Sequence, residues 1–284
     1  MPHLPFAEWA DLPFPGQLVV GLTYEESEAY HVLVDGRRRN ITWHANGESY
    51  GIDINQGYVG LQYGLAPRWA ADLSIGGTTV GWRSFDQGRI QSTTGLMDWT
   101  LGVRYQILEE EQAPGVWTPT LTFRAGAVLP GSYNQNITFA PGLRSVAIEP
   151  ELLLRKHFGW PGLGIFGDVL YRWNRTTGND QYITAIGFFQ QIKGWELDVG
   201  YRHLQTLSGS DLMLSSGLNL YYPRDPRENS DAIDAGFSYT TSRRHFKCGF
   251  HARTIIDGNN TDSKLWVGAS LEMPFDLPLF KSKQ

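Results

Sequence analysis

The sequence predicts an all-β fold, a transmembrane antiparallel up-and-down β-barrel of about twelve strands. Three observations carry this. Apolar and polar residues alternate with period 2 through most of residues 17–275. Short and long connections alternate between the strand-like runs, as tight periplasmic turns and longer extracellular loops require. Aromatic residues collect near the ends of the apolar rows, where an amphipathic ring suits a membrane–water boundary.

The runs fall at 17–34, 48–65, 69–82, 95–108, 117–129, 145–157, 163–174, 181–192, 195–206, 231–242, 246–256 and 264–275. In 97–107 an apolar row (Met97, Trp99, Leu101, Val103, Tyr105, Ile107) opposes Asp98, Thr100, Gly102, Arg104 and Gln106. The next run sets Leu121, Phe123 and Ala125 against Thr120, Thr122 and Arg124. In 165–174, Ile165, Val169, Tyr171 and Trp173 oppose Asp168, Arg172 and Asn174. "GWELDVGYRHLQ" (194–205) sets Trp195, Leu197, Val199 and Tyr201 against Glu196, Asp198 and Arg202. Phe246, Cys248, Phe250 and Ala252 oppose Lys247, Gly249, His251 and Arg253, and the last run ends the pattern with Leu265, Val267, Ala269 and Leu271 against Trp266, Gly268, Ser270 and Glu272. Small residues on the polar face, such as Gly102, Gly126, Gly200, Gly236 and Gly268, suit a curved wall with little interior room.

The short connections are 66–68, 109–116, 159–162, 193–194 and 242–245; the longer ones are 35–47, 83–94, 130–144, 175–180, 207–230 and 257–263. A water-soluble sandwich or lipocalin-like barrel has no reason to keep that order. In lipid, every backbone N–H and C=O needs a partner within the protein, so among β structures only a closed sheet serves. Both termini then lie on the periplasmic side. Residues 1–16, "MPHLPFAEWADLPFPG", form a Pro-rich N-terminal segment expected as a lumen plug, a periplasmic docking arm or a linker; 276–284 is a C-terminal periplasmic tail.

Composition narrows the function classes. Among 284 residues there are 10 Trp, 13 Tyr and 14 Phe, and the net charge of -5 argues against a nucleic-acid partner. No run approaches the roughly 18 apolar residues of a membrane helix. Cys248 is the only cysteine, so there is no intrachain disulfide framework. The first residues lack the basic and apolar regions of a secretory signal, and the expectation is an exported chain, in a bacterial outer membrane, whose signal has been removed.

Several segments in this order resemble the outer-membrane proteins associated with meta-pathway phenol degradation, grouped near the long-chain fatty-acid transporter superfamily. They are "VGLQYGLAPRWAADLSIG" (59–76), "STTGLMDWTLGVRYQI" (92–107), "TPTLTFRAGAVLPG" (118–131) and "IEPELLLRKHFG" (148–159). Met97 stands where that family's pattern has Gly, and no Asn-Pro-Ala start like that of the fatty-acid transporters is present. The resemblance implies an outer-membrane barrel acting as a channel for small apolar or aromatic compounds.

The candidate site is the polar face of the barrel. Its expected lumen-lining residues are Asp72, Asp98, Arg104, Arg124, Glu149, Glu151, Arg155, Asp168 and Arg172 in the first part of the chain. Glu196, Asp198, Arg202, Asp234, Lys247, His251, Arg253 and Glu272, with Glu25, complete the row. Both signs are interspersed, whereas a charge-selective constriction carries one sign. The reading is a narrow diffusion channel for small, apolar or weakly polar solutes; the alternative is a closed barrel whose network only holds the wall, an anchor or assembly component with a periplasmic or surface protein partner. The expected aromatic girdle is Trp69, Trp99, Tyr105, Trp117, Tyr171, Trp173, Trp195 and Tyr201. Arg37, Arg38 and Arg39 in an outer loop suit anionic lipopolysaccharide, or are simply solvated there.

Catalysis and metal binding find little support. His203 lies near Ser208 and Ser210, as a membrane-embedded hydrolase would need, but no G-x-S-x-G occurs and His203 falls on the outer face with Tyr201. The seven His are scattered without H-x-H or H-E-x-x-H spacing, and Cys248 and His251 point to opposite faces. No cofactor and no metal is expected.

Overall fold

The structure is a computed structural model that describes residues 10–34, 36–40, 43–45, 48–83, 90–111, 117–133, 142, 144–159, 162–176, 179–211, 213–214, 220–221, 227–242 and 245–277. Among these residues there are eighteen strands and no helix. They are β1 (Gln17–Val34), β2 (Arg37–Asn40), β3 (Trp43–Ala45), β4 (Glu48–Tyr50), β5 (Ile52–Ala66), β6 (Trp69–Arg83), β7 (Ile90–Leu96), β8 (Trp99–Leu108) and β9 (Thr120–Leu129). The rest are β10 (Ala147–His157), β11 (Leu163–Asn174), β12 (Gln181–Ile192), β13 (Trp195–Thr206), β14 (Met213–Leu214), β15 (Leu220–Tyr221), β16 (Asn229–Thr240), β17 (Lys247–Asn259) and β18 (Thr261–Asp276).

Twelve of these close a barrel in the order β1, β5, β6, β8, β9, β10, β11, β12, β13, β16, β17, β18. β18 returns to β1 in antiparallel register, from Gln17 opposite Asp276 to Leu33 opposite Thr261. Closure leaves no wall strand with an unpaired edge. The faces are those of a protein turned inside out. On β13 Leu197 and Val199 are 55% and 49% exposed, while Glu196 and Arg202 on the opposite row are buried. A soluble protein almost never buries such charges while baring a contiguous apolar band; a lipid-facing wall demands it.

The turns follow from local backbone chemistry. Lys193 and Gly194 both have positive φ (50° and 87°), the two-residue turn whose twist matches the β12–β13 hairpin. Thr240 donates its N–H to the Gly194 carbonyl at 2.8 Å, tying that turn to β16.

Three expectations need correction. The single run 95–108 is two strands: β7 pairs with the upper half of β6 and β8 with its lower half. Met97 sits in the break and is buried rather than outward, and its N–H reaches the Gly76 carbonyl at 2.8 Å. The run 48–65 begins its wall strand at Ile52, because β4 belongs to a separate hairpin with β3. Arg37, Arg38 and Arg39 are not irregular loop: β2 pairs back onto His31–Val34 of β1. The long connection 207–230 likewise carries the small β14–β15 hairpin.

Candidate functional site: the barrel interior

One hydrogen-bonded level of the wall brings Asp72, Gly102, Gly126 and Glu149 side by side on β6, β8, β9 and β10. Arg124, two residues from Gly126, lies over this level. Its Nε and Nη2 donate to Asp72 Oδ1 at 2.9 and 2.8 Å, and its Nη1 is 3.5 Å from Glu149 and 3.6 Å from Glu151. Arg104 Nε approaches Asp72 at 3.4 Å. Arg172 continues the chain, donating Nε to Glu149 at 2.6 Å and Nη1 to Gln181 of β12 at 2.9 Å. Asp168 is buried on the same face of β11.

A second cluster lies on the other half of the ring. Lys247 donates to Glu196 at 2.8 Å across β16, with Glu272 its register partner on β18. Gln191 Nε2 donates to the other Glu196 oxygen at 2.6 Å. Asp234 accepts from Arg202 Nε at 3.1 Å and also pairs with Arg253. His251 Nε2 meets Glu25 at 2.8 Å across β18. Every ion pair described between two wall strands joins neighbours or strands one apart. These described pairs run around the wall.

Interior glycines make this possible. A Cβ on Gly102 would stand 2.7 Å from Asp72 Oδ2 and 2.8 Å from Arg124 Nε; one on Gly126 would stand 2.5 Å from Arg124 Nη1. Gly236 is similarly covered by Asp198, with the carboxyl carbon 2.8 Å from the Cβ position, and Gly268 by the His251 ring, with Cε1 2.5 Å from it. Each glycine is a gap in the lining into which the neighbouring long side chain is laid flat.

Sequence reasoning missed an apolar part of the interior. Leu153, Leu170, Ile183 and Phe189 are buried on the interior face of β10, β11 and β12, and Phe166 stands in the same layer. The Phe166 ring lies over Gly187 and Gly200, its Cζ 3.1 Å from the Gly200 Cβ position and closer still to that of Gly187. The signal was parity: Phe166 and Leu170 share the row of Asp168 and Arg172, and charge drew attention away from them.

The described part of the N-terminal segment also enters the interior. The Ala10 carbonyl accepts from the Thr122 hydroxyl, and the Asp11 carboxylate pairs with Arg155. Farther along, the segment presses on Gly64 of β5, where a Cβ would be 2.7 Å from the Pro13 carbonyl oxygen. Gly16 N–H donates to the Gly64 carbonyl at 2.8 Å. Residues 10–14 therefore lie inside the short-turn end of the barrel, touching β5 at one end and β9 and β10 at the other. Residues 1–9 and 278–284 lie outside the described residues.

The remaining predicted residues fall as follows. Asp98 sits in the β7–β8 break, accepting from Gly131 N–H at 2.9 Å, the Tyr133 hydroxyl at 3.1 Å and Arg144 N–H at 3.0 Å. Trp69, Tyr105, Trp117 and Trp195 lie at the short-turn end, with ring contacts from Trp69 to Tyr105 at 4.7 Å and from Trp195 to Tyr239 at 4.5 Å. Trp173, Tyr171 and Tyr201 lie toward the long-loop end of the outer face, and Trp99 opens β8. His203 is on the outer face, its Nδ1 2.7 Å from Asp231, which also accepts the Tyr201 hydroxyl at 2.5 Å. Cys248 is exposed on the outer row, while His251 points inward. Among the described residues, no group of three or more His, Cys, Asp or Glu is arranged to hold a metal.

A closed, inside-out antiparallel barrel with a charged interior defines the outer-membrane β-barrel class. Within that class the chain belongs to the family of the MetA-pathway of phenol degradation, whose model matches residues 33–263. The COG4313 outer membrane channel from Pseudomonas putida F1 has the same fold, with a TM-score of 0.70 at 15% identity, over 95% of this chain and 99% of that one. The NanC porin is similar at a TM-score of 0.50 and 8% identity, over 89% of this chain and 98% of that one. No curated relative matches the chain.

Proposed function

We propose that the protein is an outer-membrane channel, passing small, apolar or weakly polar solutes through a narrow bore. The observation that carries this reading is the direction of the ion pairs. Charges placed to brace a solid plug would cross the bore, whereas Asp72, Arg124, Glu149 and Arg172 lie along the wall, over glycines that receive them. Their mixed sign neutralises the lining, which suits solutes without strong charge selection. The fold it shares with outer-membrane channels and porins supports the reading. No residue is assigned a catalytic role: His203 has an orienting carboxylate in Asp231, but no serine is described within its reach. The exposed Arg37, Arg38 and Arg39 on β2 are offered to anionic lipopolysaccharide on the long-loop side.

The test is reconstitution of the full chain into planar bilayers and into liposomes. Discrete, small single-channel steps, together with swelling in solutes the size of a single aromatic ring, are expected. Silence at all voltages with no swelling would retire the channel and leave a closed barrel.

A further inference from the structure

We propose that residues 10–14 are a displaceable constriction of the short-turn end of the bore, aimed inward by a rigid turn and seated in a notch at Gly64. This rests on the channel reading and adds a control point to it.

The turn sets the direction. Phe14, Pro15, Gly16 and Gln17 form a tight reversal just ahead of β1: the Gln17 N–H donates to the Phe14 carbonyl at 2.8 Å, and Gly16 has a φ of 81°. Proline second and a positive-φ glycine third make a type II turn, in which the ring fixes one φ and the glycine supplies the other. Gly16 is held on two sides, donating its N–H to the Gly64 carbonyl and accepting from the Leu277 N–H, both at 2.8 Å. The chain ahead of this corner cannot join the wall as a further strand, because Pro13 and Pro15 have no N–H to give a ladder.

The seats lie on strands that are not neighbours. At the inner end Ala10 is buried, its carbonyl accepting from the Thr122 hydroxyl of β9, and Asp11 carries its carboxylate to Arg155 of β10. At the turn end a Cβ on Gly64 of β5 would stand 2.6 Å from the Phe14 carbonyl carbon and 2.7 Å from the Pro13 carbonyl oxygen. β6 and β8 stand between β5 and β9 in the ring. A segment that touches both from inside takes cross-section from the bore. β5 is laddered to β1 and β6 along its length, whereas the segment meets it through an isolated bridge, Pro15 with Gly64. A side chain at Gly64 therefore moves the segment before it moves the wall.

Displacement also changes the charge of the bore. Asp11 leaves with the segment, while Arg155 stays on β10. The widened pore shifts toward anions because an acid has gone, whatever else the Arg155 guanidinium touches.

The experiment records the full chain in planar bilayers under a salt gradient. Gly64→Ala is expected to give single-channel steps at least about twofold larger, with the reversal potential moved toward anions. A second variant joins Ala10→Cys and Thr122→Cys in a Cys248→Ala background, since the carbonyl–hydroxyl contact puts those residues within disulfide reach. Reduced, this pair lacks the Thr122 seat and is expected to conduct in larger steps; oxidation should restore small ones. The pair keeps the test decisive if Gly64→Ala does not fold. Wild-type steps in Gly64→Ala, or identical steps in the oxidised and reduced pair, overturn the constriction and spare the channel. Larger steps in Gly64→Ala without the anion shift overturn it too, because Asp11 has then not left. Silence of every variant at all voltages retires the channel and the constriction together. A silent wild type beside a conducting Gly64→Ala supports both.

Discussion

Arg124 reaches over β8 to Asp72, donating Nε and Nη2 to one carboxylate oxygen at 2.9 and 2.8 Å. The reach is possible because the residue between them on β8 is Gly102. The same guanidinium stands near Glu149 and Glu151, so one cation compensates acids on β6 and β10. Replacing it leaves buried carboxylates without that charge. Arg124→Met is expected to cost about 3–5 kcal/mol, far more than its size, because the partners stay charged in a low-dielectric wall. Urea titration of the folded barrel in detergent measures it, and Arg124→Met combined with Asp72→Asn should recover part of the loss.

The glycines make a prediction of opposite kind, on conductance rather than stability. A Cβ at Gly126 would come within 2.5 Å of Arg124 Nη1 and one at Gly102 within 2.8 Å of its Nε. The flexible end of the arginine yields before the wall does and swings toward the axis. Gly102→Ala and Gly126→Ala should therefore fold and insert, yet lower single-channel conductance. A glycine outside this arrangement, Gly57, is open at its Cβ position except for the Thr23 carbonyl at 3.9 Å, and Gly57→Ala should leave conductance unchanged.

The strands were largely legible because lipid on one side and charge on the other force strict alternation. The runs 163–174, 181–192 and 195–206 have the bounds of β11, β12 and β13. The break at Met97 was not legible, since the alternation of 95–107 continues through it. Its cause lies at Gly131, Tyr133 and Arg144, more than thirty residues away, whose groups gather on Asp98. The charged half of the interior was visible as acids and bases on one row. Which pairs form was not, because they depend on ring order and on glycines between partners. The path of residues 10–14 into the bore had no sequence signal beyond its prolines and apolar character.

Asp98 gives a test of that break. Its carboxylate takes two backbone N–H groups and a tyrosine hydroxyl; Asp98→Ala takes the acceptor from Gly131 N–H and the Tyr133 hydroxyl, while Arg144 N–H keeps the Tyr133 oxygen at 2.7 Å. Each partly buried donor left without a partner costs about 1–3 kcal/mol, reduced where water enters. The damage should stay local, because β8 and β9 keep their own ladder from Trp99 opposite Leu129 downward. Hydrogen exchange should accelerate at Leu96 and Gly131 in Asp98→Ala while β8 and β9 remain protected. Uniform acceleration through the barrel would contradict the local role.

At the short-turn end, Glu110 clamps the β8–β9 turn to β10. It accepts from Lys156 Nζ at 2.5 Å and from the His157 N–H at 3.0 Å, and its carboxylate lies 3.1 Å from His157 Nδ1. Burial by itself pushes the Glu110 carboxyl up, but the hydrogen bonds from Lys156 and His157 outweigh it and hold it below its ordinary value. A carboxyl depressed in the folded state contributes stability above its unfolded value, about 4.3, and loses it as pH falls through the folded value. Glu110→Gln keeps the shape and removes the titration. Wild type should exceed Glu110→Gln by about 1–2 kcal/mol at neutral pH, the worth of hydrogen bonds to a charged group. That gap should persist down to about pH 5 and close below about pH 4. Thermal unfolding in detergent across this range measures the gap. A gap that widens on acidification would mean that the clamp binds the protonated carboxyl better, and that Lys156 and His157 do not hold Glu110 in its charged form.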